Sequence, residues 1–224
     1  MDEARASRHE GSPSMPTTDA GTGIVVYLNG IACSGKSTLA RGLQASWPEP
    51  FLHIGLDFLS AAMPSRFLGD GPDAELGARW LRDDEGRLLR VEAGPFGVRL
   101  LQGIPRLAAA LARAGNHVIV DDVLLYPWRI EDVGKALAGV PTHLVEVRCD
   151  LSTALARGQQ RDGVSEVGKI ATYYDATYAH DAYDLRIDTG RDAPEACVAA
   201  LTAYLRGGRA PTALATVSNL ARPS

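Results

Sequence analysis

Eight consecutive residues, Gly30-Ile31-Ala32-Cys33-Ser34-Gly35-Lys36-Ser37, place two glycines five positions apart, then a lysine and a hydroxyl, with Thr38 following. Each type has a use at that spacing. Glycines admit backbone conformations closed to residues with a Cβ, so successive N–H groups can curl around a phosphate. The Lys36 ammonium can reach β- and γ-phosphates, and the Ser37 hydroxyl is a hard oxygen ligand for Mg²⁺. The pattern predicts that residues 30–38 bind a nucleoside triphosphate together with Mg²⁺. Cys33 offers a thiol inside this loop, or simply a small residue at a variable position.

Such a loop works only between a strand and a helix, and both flanks are present. Ile24-Val25-Val26-Tyr27-Leu28 reads as a buried strand, and Leu39 and Leu43 carry helical spacing from Lys36 onward. The helix start adds unpaired N–H groups and a positive dipole end. A second strand, Phe51–Leu56, delivers Asp57 at its C-terminal end, the side on which parallel α/β sheets bind ligands. Asp57 is a candidate general base; Asp is equally a favoured helix N-cap, and a helix starting at Phe58 would use it so. A third strand, His117–Val120, exits into Asp121-Asp122. An apolar strand ending in Asp suits a carboxylate that holds Mg²⁺, and the spacing does not choose between the two.

Two further regions bear on chemistry. Arg157 and Arg161 lie on or after a helix over Leu151–Gln160, where a mobile segment, residues 157–165, could close as a lid and stabilise transferring charge. Met63 to Pro95 is rich in glycine and proline and reads as a long irregular stretch. It is expected to cover the substrate, with Met63, Phe67 and Trp80 as apolar walls. The run Asp83-Asp84-Glu85 within it reads as a solvated turn. Tyr126-Pro127-Trp128 could line a pocket or pack beneath a loop.

The remaining elements alternate in α/β fashion. Phe96–Ala114 reads as a helix that Pro105 should kink or divide, and Glu131–Leu137 as a short one. Thr142–Arg148 and Asp184–Thr189 are the fourth and fifth strands, Ser165–Tyr178 and Ala193–Leu205 the last two helices. Residues 1–21 read as a disordered leader, 22–206 as the domain and 207–224 as a loose tail.

Composition is that of an ordinary globular chain: 46% hydrophobic and 22% charged residues over 224 positions. A net charge of −4 leaves no electrostatic footprint for nucleic acid or anionic membrane, so neither is expected as a partner. Three widely spaced cysteines and five scattered histidines form no zinc pattern. No apolar run reaches spanning length and Met1–Ala20 lacks a signal-peptide core, from which a cytoplasmic protein is expected. A homo-oligomer is compatible with the sequence.

Several linked segments carry a resemblance. They are Leu28-Asn29-Gly30 through Ser37, Leu43-Gln44 with Trp47-Pro48-Glu49-Pro50, Gly55-Leu56-Asp57 with Ala61-Ala62-Met63-Pro64, Val118–Val123, Val147-Arg148-Cys149-Asp150, and Tyr183-Asp184 with Ile187-Asp188-Thr189. In this order they resemble the chloramphenicol phosphotransferases, small P-loop kinases related in fold to shikimate and adenylate kinases. The resemblance implies a three-layer α/β fold of P-loop kinase type, with a central, mainly five-stranded parallel sheet and a lid. It implies ATP-dependent phosphorylation of an antibiotic's primary hydroxyl, with Asp57 matching the general base, Lys36 and Ser37 the phosphate and magnesium residues, and Arg157 and Arg161 two lid arginines. The chain departs from the pattern where Arg161 is followed by Asp162-Gly163-Val164 in place of a further lid arginine, and Met63–Pro95 has no clear counterpart. Two other functions share these motifs: a kinase of a nucleoside, sugar or other hydroxyl metabolite, and a nucleotide-binding switch without a small acceptor.

Overall fold

The computed structural model describes residues 21–162 and 164–220. In chain order the elements are β1 (Val25–Asn29), α1 (Lys36–Ser46), β2 (Phe51–Gly55), α2 (Leu56–Ser60), β3 (Leu68–Gly69), β4 (Ala78–Arg82), β5 (Leu88–Ala93), α3 (Pro95–Arg113), β6 (His117–Asp122), α4 (Pro127–Ala136), β7 (Thr142–Arg148), α5 (Leu151–Asp162), α6 (Val164–Thr177), β8 (Leu185–Asp188), α7 (Pro194–Arg206) and α8 (Ala213–Leu220). The leader expected over 1–21 lies, except for Gly21, outside the described residues.

Five strands form one parallel sheet in the order β2-β6-β1-β7-β8. Every residue of β1 is buried, as a central strand covered on both faces requires. Alternate residues supply two cores. Val25, Tyr27, Val118, Val120 and Leu144 face α3, α4 and α8; Val26, Leu28, Ile119, Val145 and Ile187 face α1 and α7. Three layers result. Proline opens α3, α4 and α7 at the first helical turn, where its missing N–H costs nothing. Asp150 starts α5, accepting from Thr153 N at 2.7 Å and Ser152 Oγ at 2.6 Å. Those hydrogen bonds hold its carboxyl down to about 2.

Three expectations change. Residues 63–95 are not irregular: β3, β4 and β5 make a second sheet in that order, β4 and β5 being antiparallel. Asp83-Asp84-Glu85 is the hairpin tip, closed by Asp83 and Arg87. The helix containing Pro105 is not divided; α3 runs through it as one helix. The tail is not loose throughout. Asp184 Oδ1 accepts from Thr212 N at 2.7 Å and Ala213 N at 3.0 Å, starting α8, and Ala213 and Leu214 are buried in the core beside α4.

Candidate active site

The parallel register brings Leu28 level with Asp121 and Asp121 level with Gly55, so β1, β6 and β2 end together. Beyond these ends lies a cavity of about 910 Å³. Its floor is the loop after β1. Gly35 has φ +96°, and a Cβ on Gly30 would stand 2.3 Å from the Val147 carbonyl oxygen, so both positions need glycine. Cys33 also takes a left-handed φ of 63° and lines the cavity. Ser34, within the loop, is fully buried.

Lys36 folds back over the loop. Its ammonium donates to the carbonyls of Gly30 at 2.7 Å and Ile31 at 2.9 Å and lies 3.6 Å from Asp121. Ser37 Oγ donates to Asp121 Oδ2 at 2.7 Å, and His53 Nε2 stands 3.7 Å from the same carboxylate. Burial pushes the Asp121 carboxyl up, but Lys36, His53 and Ser37 together outweigh it and hold the group below its ordinary value. Ser37 and Asp121 are thus two hard oxygen donors beside a phosphate cradle, the donor set that suits Mg²⁺, which keeps waters and substrate phosphates as its other ligands. Among the described residues no three His, Cys, Asp or Glu side chains gather as a protein-only metal cage.

Asp122, the other carboxylate of the pair, points the opposite way, as the next residue on a strand must. It is 1% exposed, ion-paired with the equally buried Arg129, and accepts from the Tyr27 hydroxyl and Val123 N. Burial, then the Asp122 charge, pushes the Tyr27 hydroxyl well up, so it stays a donor. Asp122 is therefore spent on Arg129, whereas Asp121 is the member of the pair that meets Ser37 and Lys36.

Asp57 lies in the first turn of α2, exposed at the cavity, and its carboxylate has no side-chain partner among the described residues. The N-cap of α2 is Gly55, so the capping role open to Asp57 in the sequence is taken elsewhere. Met63 and Trp80 line the same cavity with Leu68, Val91, Leu100 and Tyr126. Phe67 does not. It packs edge-on against Phe96 at 5.3 Å beside a separate apolar groove, with Arg66 over its ring.

Arg157 and Arg161 both line the cavity from α5. Arg157 is anchored, donating to the Thr189 carbonyl at 2.7 Å and Thr189 Oγ1 at 3.1 Å, while that hydroxyl donates to the Ser34 carbonyl at 2.6 Å. Sequence reasoning missed Thr189 as the clip between Arg157 of α5 and the phosphate loop. It also missed Tyr178, whose hydroxyl accepts from Ile31 N at 3.2 Å and donates to Val147 O at 3.0 Å, and the cavity-lining His53 and Lys169. No short-range pattern marks these: Thr189 and Tyr178 reach the loop across more than a hundred residues, Lys169 sits on a helix with no motif, and His53 meets Asp121 from a neighbouring strand. Residue 163, within the lid expected over 157–165, lies outside the described residues.

Fold and site define a P-loop kinase-type α/β protein. The chain belongs to the chloramphenicol phosphotransferase-like family, whose sequence profile matches residues 23–206, a family of P-loop small-molecule kinases. Two Mycobacterium tuberculosis proteins, from strains CDC 1551 and H37Rv, carry the provisional name O-phosphotransferase; each is 26% identical over 174 residues, covering 75% of either chain. Among solved structures, the Mycobacterium tuberculosis APS kinase CysC in complex with AMPPNP and APS superposes with a TM-score of 0.60 at 18% identity, over 83% of this chain and 99% of that one. A sugar kinase from Janibacter gives 0.56 at 20% identity, over 83% and 95%. The Deinococcus radiodurans tunicamycin resistance protein gives 0.55 at 17%, over 82% and 95%. These structural likenesses concern the fold. No helix of the described residues is long and apolar enough to cross a membrane.

Proposed function

We propose that the protein transfers the γ-phosphate of ATP to the hydroxyl of a small, largely apolar alcohol, chloramphenicol or a similar antibiotic. One observation carries the reading: a single cavity is lined both by the phosphate loop and by Asp57 facing an apolar wall of Met63, Leu68, Trp80 and Leu100. A switch protein has no use for that second half, and a sugar would meet few polar partners there.

In this reading the amides of residues 30–38 and the Lys36 ammonium orient the triphosphate. Bound Mg²⁺, held by Ser37 and Asp121, would neutralise charge on the β- and γ-phosphates. Asp57 accepts a hydrogen bond from the acceptor hydroxyl and takes its proton as the oxygen–phosphorus bond forms. A carboxylate suffices because proton loss is late in a loose transition state. Arg157 and Arg161 neutralise charge that develops on the transferring group, and positioning supplies most of the acceleration. The test is mass spectrometry of reactions with ATP·Mg²⁺ and chloramphenicol, alongside other apolar antibiotic alcohols, nucleosides and sugars. A product heavier by one phosphate with an apolar alcohol is the expected result. A product only with sugars or nucleosides, or ATP hydrolysis indifferent to every alcohol, would refute the acceptor class.

A further inference from the structure

Pro105 stands inside α3 and has no N–H, so the Leu101 carbonyl, four residues earlier, loses its intrahelical donor. That carbonyl is not left orphaned. Arg129 Nη1, from α4, donates to it at 2.7 Å. The same guanidinium is ion-paired through Nη2 with Asp122, whose other oxygen accepts from Val123 N at 2.7 Å. Arg129 N donates in turn to the Tyr126 carbonyl at 2.9 Å. Leu101, Val123 and Tyr126 all line the large cavity, and Arg129 itself is only 1% exposed. The planar fork therefore ties α4, which carries it, to the α3 wall at Leu101 and to the end of β6 at Asp122, while the Arg129 backbone holds the turn at Tyr126. A second tie between α3 and α4, Arg106 with Asp132, lies on the surface and touches none of the lining.

We infer that Arg129 is the positioning residue of the acceptor pocket, setting the α3 wall by filling the hydrogen bond that Pro105 removes. This rests on the kinase reading only for the word acceptor; the brace itself is a property of the fold. Lysine keeps the charge opposite Asp122 but lacks the fork that reaches Leu101. Alanine at 105 restores the intrahelical donor and makes the fork dispensable.

The experiment uses the full chain as wild type, Arg129→Lys, Arg129→Lys with Pro105→Ala, and Asp132→Ala as the surface control. Hydrogen exchange in residues 97–104 is expected to quicken roughly tenfold in Arg129→Lys, the weight of one partly buried carbonyl left without its donor, with α1 unchanged. Pro105→Ala is expected to restore it, and Asp132→Ala to leave it unmoved. With chloramphenicol as the acceptor, KM for chloramphenicol should rise roughly tenfold while KM for ATP and kcat stay within about threefold, and Pro105→Ala should reverse the rise. If Arg129→Lys does not fold, Arg129→Met with Asp122→Asn removes both charges together and is read the same way. Unchanged exchange in 97–104, failure of Pro105→Ala to restore it, or equal rises in both KM values would overturn the inference. The expected exchange pattern in a wild type that phosphorylates no alcohol would support the brace and remove the kinase reading.

Discussion

The floor and the far wall of the cavity are built in opposite ways. The floor is one continuous stretch, residues 30–38, set between a fully buried strand and a helix. The far wall is assembled from β4, β5, α2, α3 and the start of α4, and several of its members, among them Trp80 at 42% and Tyr126 at 44% exposure, are half open to solvent. Under the proposed function the floor would handle a ligand that is chemically constant, for which backbone amides and one lysine suffice. The wall, on the same reading, would meet the acceptor with side chains carried largely by a small sheet. Specificity can thus change without disturbing the phosphate chemistry.

The largest expected effect lies on the floor. Lys36→Ala should lower transfer by roughly three orders of magnitude and weaken nucleotide binding, because it removes the cation at the terminal phosphates; calorimetry with ATP and a turnover assay check both. Asp121→Asn comes next, lowering turnover by roughly a hundredfold and raising the Mg²⁺ concentration needed for half-maximal rate. Asp122→Asn should instead lower stability and leave that Mg²⁺ requirement alone, since its carboxylate faces Arg129. Equal shifts in Mg²⁺ requirement would dissolve the distinction between the two.

On the wall, effects should be smaller and confined to the acceptor. Trp80→Ala is expected to raise acceptor KM roughly tenfold with KM for ATP unchanged, by loss of buried aromatic contact. Phe67→Ala, outside the cavity, should lower thermal stability and leave acceptor KM alone. The smallest effect concerns pH. Burial, against the nearby Asp181, lowers the His180 pKa to about 4, below the ordinary 6.5. The unfolded chain then binds more protons between those values, so stability is full above pH 6.5 and declines toward pH 4. His180→Gln should remove on the order of 1 kcal/mol of that decline, partial exposure being allowed for; melting curves of both proteins from pH 4 to 7 test it.

The same contrast explains what the sequence disclosed. The five parallel strands and the phosphate loop were readable because their signals are local: β-branched runs, a fixed Gly and Lys spacing, Asp at strand ends. Choosing Asp121 over Asp122 needed a partner seven residues on, Arg129, and one in another strand, Tyr27. The hairpin of β4 and β5 does leave a mark, alternation through Ala78, Trp80 and Val91, Ala93 around an acidic turn with Gly86, but the glycines and prolines around it masked the period. Phe67 was misplaced because an aromatic residue in the right segment does not disclose which face it takes. α8 was hidden because its cap, Asp184, lies 28 residues away from Thr212.

On the proposed reading, floor and wall meet at one acceptor hydroxyl beside Asp57. The most direct measurement is transfer of labelled phosphate from ATP to chloramphenicol by wild type and Asp57→Asn, with ATP affinity measured on both. Turnover lower by roughly two to four orders of magnitude in the variant, at unchanged ATP affinity, is the predicted result. Equal turnover by the two proteins would contradict it.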